Sequence, residues 1–122
     1  MLKDIIIVGI GSGIGGICRY LISLLTSHVG NGFPWGTFVV NVAGCLLIGI
    51  LWGLITRFQH LSPTFSLLLV AGFCGGFTTF SSFSKEGLTL LQDNNYLIFL
   101  LYAIGSMVLG IMAVSLGYYS TK

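Results

Sequence analysis

The residues of this chain that are best suited to chemistry are neutral hydrogen-bond donors set in apolar surroundings. Asn41 lies in the middle of an apolar stretch, and Thr37 precedes it by one helical turn on the same face. An amide surrounded by apolar side chains needs a polar partner, so Asn41 must face protein or water. A binding site and a hydrogen bond between helices explain this pair equally well.

An aromatic pair follows later in the chain. Phe80 and Phe83 are three residues apart on one helical face, interleaved with Ser81, Ser82 and Ser84. Aromatic residues at this spacing usually belong to a core, but the edge of an aromatic ring carries partial positive charge. Two ring edges, together with hydroxyl and amide donors, can coordinate a small anion without a formal charge.

Two further features concern polar groups within apolar runs. Tyr102, Ser106 and Gly110 share one face at i, i+4 and i+8, which gives a polar stripe or a set of bonds between helices. Arg19 interrupts the first apolar run, where a charge is costly and a functional candidate by default. Alternatively its side chain snorkels to the membrane surface. In either position a cation near a pore mouth attracts anions.

Composition defines the setting of these residues. The chain has 122 residues, of which 55% are hydrophobic and 7% charged, and its mean hydropathy is +1.00. Soluble domains carry about 25% charged residues, so this is an integral membrane protein. A net charge of +2 from scattered basic residues predicts no nucleic-acid partner. No Ser-His-acid set or HExxH motif is present, so we expect no enzyme.

Four apolar segments predict an all-α protein with four transmembrane helices in a single domain, 1–122. The third segment contains Gly75-Gly76 followed by Thr78-Thr79, which is poor helix in mid-span. Backbone freed at membrane depth must line a cavity or be buried in protein, and broken helices often bind ions. A kinked packing helix is the alternative. The predicted spans are about 5–27, 35–56, 62–91 with a break near 75–79, and 96–119.

Glycines recur at a spacing of four, which lets helix backbones approach closely in lipid. Gly11-x-Gly13-x-x-Gly16 also matches a dinucleotide-binding fingerprint, but the acidic residue expected about 20 positions later is missing. Close helix packing is therefore the better explanation. The pairs are Gly9/Gly13, Gly11/Gly15, Gly49/Gly53 and Gly72/Gly76.

An even number of spans places both termini on the same side of the membrane. Lys3, Arg57 and Lys122 collect there, against Asp4. The positive-inside rule assigns this side to the cytoplasm, on a bias of only about three charges.

Three segments of the chain closely resemble the Fluc/CrcB family of fluoride channels. They are 72–86 (GFCGGFTTFSSFSKE), 34–44 (PWGTFVVNVAG) and 13–20 (GIGGICRY), in order and along essentially the whole chain. The TTFSSF-containing segment is the most specific of the three. The resemblance implies an antiparallel, dual-topology homodimer with two pores in a bacterial inner membrane. It also implies passive export of fluoride down its electrochemical gradient, which relieves fluoride toxicity.

The resemblance further implies roles for individual residues. Phe80 and Phe83 correspond to phenylalanines whose ring edges face fluoride, and Asn41 to an amide donor with Thr37 as a second donor. Arg19 corresponds to a vestibule arginine. The backbone carbonyls of Gly75 and Thr78 correspond to ligands of a structural Na⁺ between subunits. The implied polar track comprises Ser81, Ser82, Tyr102 and Ser106, and it is shorter than in relatives with a hydroxyl at the position of Gly110.

The physical chemistry of fluoride agrees with this assignment. Fluoride is small and strongly hydrated, so a pore must replace its water with close donors that still release the ion. We expect no carboxylate on the path, and we expect Glu86 to be a vestibule charge or a partner of an arginine. Two rivals are a small four-span drug exporter, which lacks its first-span Glu here, and a non-transporting scaffold protein.

Overall fold

The computed structural model describes residues 1–27 and 32–122. These residues form α1 (Leu2–Leu25), α2 (Trp35–Arg57), α3, α4 (Phe80–Gln92) and α5 (Tyr96–Thr121). Helix α3 begins as the turn Pro63–Ser66, widens into π-helical turns over Leu67–Cys74 and ends with Gly75–Phe77. Four segments are long and apolar enough to cross a membrane: α1, α2, α3 with α4 (Pro63–Gln92), and α5.

The helices begin and end close to the predicted span limits. Helix α1 starts earlier, at Leu2, with Asp4 in its first turn, where an acidic side chain complements the helix dipole. Helix α5 continues to Thr121, whose hydroxyl donates to the Ile50 carbonyl of α2 at 3.0 Å. The predicted break in the third span is present, at Thr78 and Thr79.

Local sequence signals start α3 in the expected way. Pro63 occupies its first turn, where a missing N–H is harmless, and the Ser62 side chain accepts a hydrogen bond from the Thr64 N–H at 3.1 Å. The π-helical turns that follow lead directly into the break. Such turns are rare in helices and often lie at functional sites.

Glycines bring α1 against α3. A Cβ added to Gly11 would lie 2.9 Å from the Gly72 Cα, and one added to Gly76 would lie 2.8 Å from the Ser12 Cα. At such a distance only glycine fits, which confirms the packing role of Gly11/Gly15 and Gly72/Gly76. Gly9 and Gly13 make no such contact within the chain, since a Cβ at either position would meet nothing within 4 Å and both glycines are exposed on α1.

Glycines also bring α2 into close contact with α5. A Cβ on Gly117 would lie 2.6 Å from the Ile50 N, and one on Gly53 would lie 2.7 Å from the Tyr118 carbonyl oxygen. The four long segments therefore form two close pairs, α1 with α3 and α2 with α5. Helix α4 packs against α5 beyond the break.

The chain keeps most of its apolar surface on the outside. A compact soluble protein of this mass exposes about 6,400 Å², whereas this chain exposes 7632 Å². Only 11% of the apolar window of α1 is buried within the chain. Apolar helices with outward apolar faces define a multi-pass membrane protein.

Candidate functional site at the helix break

The break is a short extended segment close to the middle of the 30-residue third span. Thr78 and Thr79 have extended backbone, with ψ of 156° and 122°. Thr78 ends α3, since its N–H and its hydroxyl both donate to the Cys74 carbonyl, at 3.0 and 2.9 Å. Thr79 starts α4, since its side chain accepts a hydrogen bond from the Ser82 N–H at 3.2 Å.

Asn41 of α2 holds the break open. Its Oδ1 accepts from the Thr79 N–H at 2.8 Å, and its Nδ2 donates to the Thr79 carbonyl at 3.0 Å. In a continuous helix the same N–H would donate to the Gly75 carbonyl. The amide therefore replaces two backbone partners that lipid could not supply, and it keeps one N–H for a further acceptor.

Arg19 of α1 also reaches the break. Its Nε donates to the Gly76 carbonyl at 3.1 Å, which would accept from the Phe80 N–H in a continuous helix. Arg19 also lines a cavity of about 150 Å³ together with Thr37, Thr79 and Ser82. The guanidinium thus lies at one side of the polar residues of the break, and it contacts a backbone carbonyl instead of Glu86.

The aromatic pair lies directly after the break. The rings of Phe80 and Phe83 are 5.8 Å apart and inclined at 37°. Phe83 also contacts the ring of Tyr102 at 4.9 Å. Phe80 is 77% exposed, so it projects away from its own chain.

Glu86 lies among the predicted donors, one turn beyond the aromatic pair. Its Oε1 accepts from the Thr37 hydroxyl at 2.5 Å and from the Tyr102 hydroxyl at 3.5 Å. We expected no carboxylate on the ion path, and Glu86 lies beside two residues that were predicted to line it. The signal was present in the sequence, because Glu86 follows Ser82 by four residues and Phe83 by three on one helix face.

The remaining predicted hydroxyls have different surroundings. Ser81 shares a 3.2 Å hydrogen bond with the Thr79 hydroxyl, and Ser82 lines the Arg19 cavity. Ser106 Oγ is fully buried and has no hydrogen-bond partner in the described part of the chain. Other atoms of Ser106 line an open groove of about 360 Å³, together with Asn41, Thr79 and both phenylalanines.

Two backbone carbonyls at the break lack the N–H partners they would have in a continuous helix, and a hard cation such as Na⁺ could bind to oxygens of this kind. In a continuous helix the Gly75 carbonyl would accept from the Thr79 N–H, but that N–H donates to Asn41 instead. In the same way, the Thr78 carbonyl would accept from the Ser82 N–H, but that N–H donates to the Thr79 hydroxyl. Carbonyl oxygens are suitable ligands for such ions. Residues 1–27 and 32–122 contain no cluster of three or more His, Cys, Asp or Glu that could hold a metal ion.

A polytopic α-helical membrane protein, with a polar site built on a broken helix, is the class that these features define. The profile of the CrcB-like protein family (Camphor Resistance, CrcB) matches residues 6–118. The chain belongs to this family.

Curated relatives match along the full length. One from Phocaeicola vulgatus is 44% identical over 122 residues, which covers 99% of this chain and 100% of the relative. One from Azobacteroides pseudotrichonymphae is 46% identical over 123 residues, covering 100% and 98%. Both are named fluoride-specific ion channel FluC, and the family is one of ion channels and not of enzymes.

Proposed function

We propose that this chain forms a fluoride channel that lets F⁻ leave the cell passively, down its electrochemical gradient. The relatives that match the whole chain carry the name of fluoride-specific channels. The observation that carries the proposal is the groove at the break. There Asn41, the rings of Phe80 and Phe83, and Ser106, whose hydroxyl has no partner in the described part of the chain, line one groove.

This set of groups matches the needs of a small, strongly hydrated anion. Hydroxyls, an amide N–H and ring edges replace hydration water without a fixed cation that would retain the ion. Arg19 lies at one side of this cluster, beside a small cavity with Thr37 and Ser82. A cation in that position raises the local concentration of anions.

We further propose that the functional unit is an antiparallel homodimer with two pores. The groove is open on the outer face of the chain, and Phe80 is 77% exposed. A ring that coordinates an ion at membrane depth needs a second wall, which a second copy supplies. The small charge bias between the two sides permits insertion in both orientations.

A structural Na⁺ belongs to the same proposal. The carbonyls of Gly75 and Thr78 would hold it at the dimer interface, where a twofold partner doubles the number of oxygen ligands. Gly75 is exposed on the surface of the single chain, as a ligand shared between two copies must be. The relatives come from bacteria, and we assign the protein to the bacterial inner membrane.

Fluoride efflux from liposomes tests the function. Purified protein is reconstituted into liposomes loaded with KF in a K⁺-free outer buffer, and efflux is followed with a fluoride electrode after valinomycin lets K⁺ leave together with F⁻. We expect rapid electrogenic efflux of fluoride, no chloride efflux, and loss of efflux in Phe80→Ile. Ile104→Val, on an exposed position of α5, is the matched control and should conduct normally.

Each rival function predicts a different result. A proton-coupled exporter would give flux that follows the pH gradient and persists without a membrane potential. A scaffold protein would give no ion flux from folded, reconstituted protein. Either result would reject the channel proposal.

A further inference from the structure

Three residues of α2 and three residues of α5 form pairs at successive helical turns, and we call each pair a rung. Both sets are spaced by four residues, so each lies on one helix face. At the first rung the two hydroxyls meet at the Glu86 carboxylate, and at the second the amide and a serine line one groove. The three rungs are Thr37 with Tyr102, Asn41 with Ser106, and Cys45 with Gly110.

The third rung has a thiol on α2 and no side chain on α5. A Cβ added to Gly110 would lie 3.4 Å from Cys45 Sγ, so the two positions are in van der Waals contact. Cys45 lines the groove at the break, of about 360 Å³, and also a second groove of about 380 Å³ beside Gly110. The thiol therefore lies where the two grooves meet.

A second polar group points to a ligand at this junction. Ser106 lines the same two grooves, and its hydroxyl is fully buried without a partner in the described part of the chain. A serine in a helix normally bonds its hydroxyl to a carbonyl in the preceding turn. Buried hydroxyls without a partner are rare, and a water or ion that reaches the group is one of the recognised reasons for them.

We propose that Cys45 lines the ion path and that its S–H group supplies, from α2, the donor that Gly110 cannot supply from α5. The inference rests on the fluoride channel function proposed above and extends it to a specific residue. The path then continues past Ser106 by one further rung instead of ending there.

A thiol at the third rung differs from a hydroxyl in its donor strength and its size. Its S–H is a weaker donor than a hydroxyl, and its sulfur is larger and more polarisable. A weak donor contacts a passing anion without retaining it, which is what conduction requires. Cys45 thus sets how tightly the last rung holds fluoride.

A rescue experiment separates donation from packing. We expect Cys45→Ala to lower fluoride flux by about tenfold, the usual scale for one lost hydrogen bond. Adding Gly110→Ser to this variant should restore flux to within about threefold of wild type, because a hydroxyl returns to the rung. Gly110→Ala in the same background fills similar space without a donor and should leave flux low.

Thiol chemistry on the unaltered protein gives an independent test. Ag⁺ is small and reacts with a thiol, so that the S–H bond breaks, an S–Ag bond forms and the proton passes to the buffer. In chloride-free buffer we expect Ag⁺ to block fluoride efflux of the wild type and of the matched control Cys18→Ser. Cys45→Ser should conduct and be insensitive to Ag⁺.

The outcomes distinguish this inference from the function on which it rests. Absence of fluoride efflux from the wild type rejects the channel function itself. Efflux that Ag⁺ does not inhibit, or inhibits equally in Cys45→Ser, rejects a thiol on the path while the function stands. Equal flux in Cys45→Ala and the wild type would likewise reject a thiol on the path without rejecting the channel function.

Discussion

At the scale of single residues, Asn41 is the side chain on which the site depends. It bonds both the N–H and the carbonyl of Thr79, two groups that no helix or water satisfies in the middle of a span. The same contact releases the Gly75 carbonyl for other use. One amide therefore supports the break and also lines the groove where fluoride is proposed to pass.

Replacement of Asn41 by leucine tests this double role. Leu is close in size but satisfies neither backbone group of Thr79, and each orphaned group costs about 1–3 kcal/mol. We expect a drop of about 2–6 kcal/mol in stability, measured by unfolding in detergent, together with loss of fluoride efflux. Val39→Ala, on the exposed face of α2, is the control, and equal stability of the two variants would contradict the proposed support.

Two substitutions of Glu86 separate the contribution of its hydrogen bonds to stability from the contribution of its charge. Glu86→Gln keeps an oxygen for the hydroxyls of Thr37 and Tyr102, so its stability should change by less than about 1 kcal/mol. Glu86→Leu leaves the fully buried Tyr102 without this acceptor and should cost about 2 kcal/mol. Thermal unfolding of both variants checks the difference, and identical midpoints would argue against these contacts.

At the scale of the elements, glycine determines how closely α1 approaches α3. Gly76 is in contact with the Ser12 backbone, and Gly72 with Gly11. This approach brings the Arg19 side chain of α1 within reach of the Gly76 carbonyl. The packing of the two helices and the geometry of the break are therefore coupled.

A pair of glycine substitutions tests that coupling. Gly76→Ala places a Cβ 2.8 Å from the Ser12 Cα, so we expect a loss of about 1–3 kcal/mol of stability and slower fluoride efflux. Gly13→Ala meets nothing within 4 Å and should be neutral or stabilising by up to about 1 kcal/mol. If the two variants unfold alike, close approach of α1 and α3 is not what stabilises the break.

At the scale of the whole molecule, the outer surface of the chain carries many large apolar side chains. The open groove and the outward Phe80 lie on the exterior of one copy. The charge difference between the two sides of the chain is small. These properties agree with two copies inserted in opposite directions.

Orientation can be measured directly. Gln59→Cys lies after α2 and Asp93→Cys after α4, at opposite ends of the spans and both at exposed positions. Insertion in both directions predicts that a membrane-impermeant maleimide, applied to intact right-side-out vesicles, labels about half of the chains of either variant. Full labelling of one variant and none of the other would establish a single orientation and reject the antiparallel dimer.

The sequence alone determined the class, the four spans and the position of the break, because these follow from local properties. Apolar run length defines a span, and Gly75-Gly76 with Thr78-Thr79 lowers helix propensity wherever it occurs. The family resemblance was also readable in the chain, and the CrcB match confirms it.

Only the tertiary structure decided which polar groups meet. Whether Asn41 finds Thr79, Glu86 joins Thr37, or Cys45 faces Gly110 depends on how each helix is rotated about its axis. That rotation is set by contacts between distant segments, such as the glycine faces of α1 and α3. The same reason explains why Gly9 and Gly13, spaced like the packing glycines, face outward.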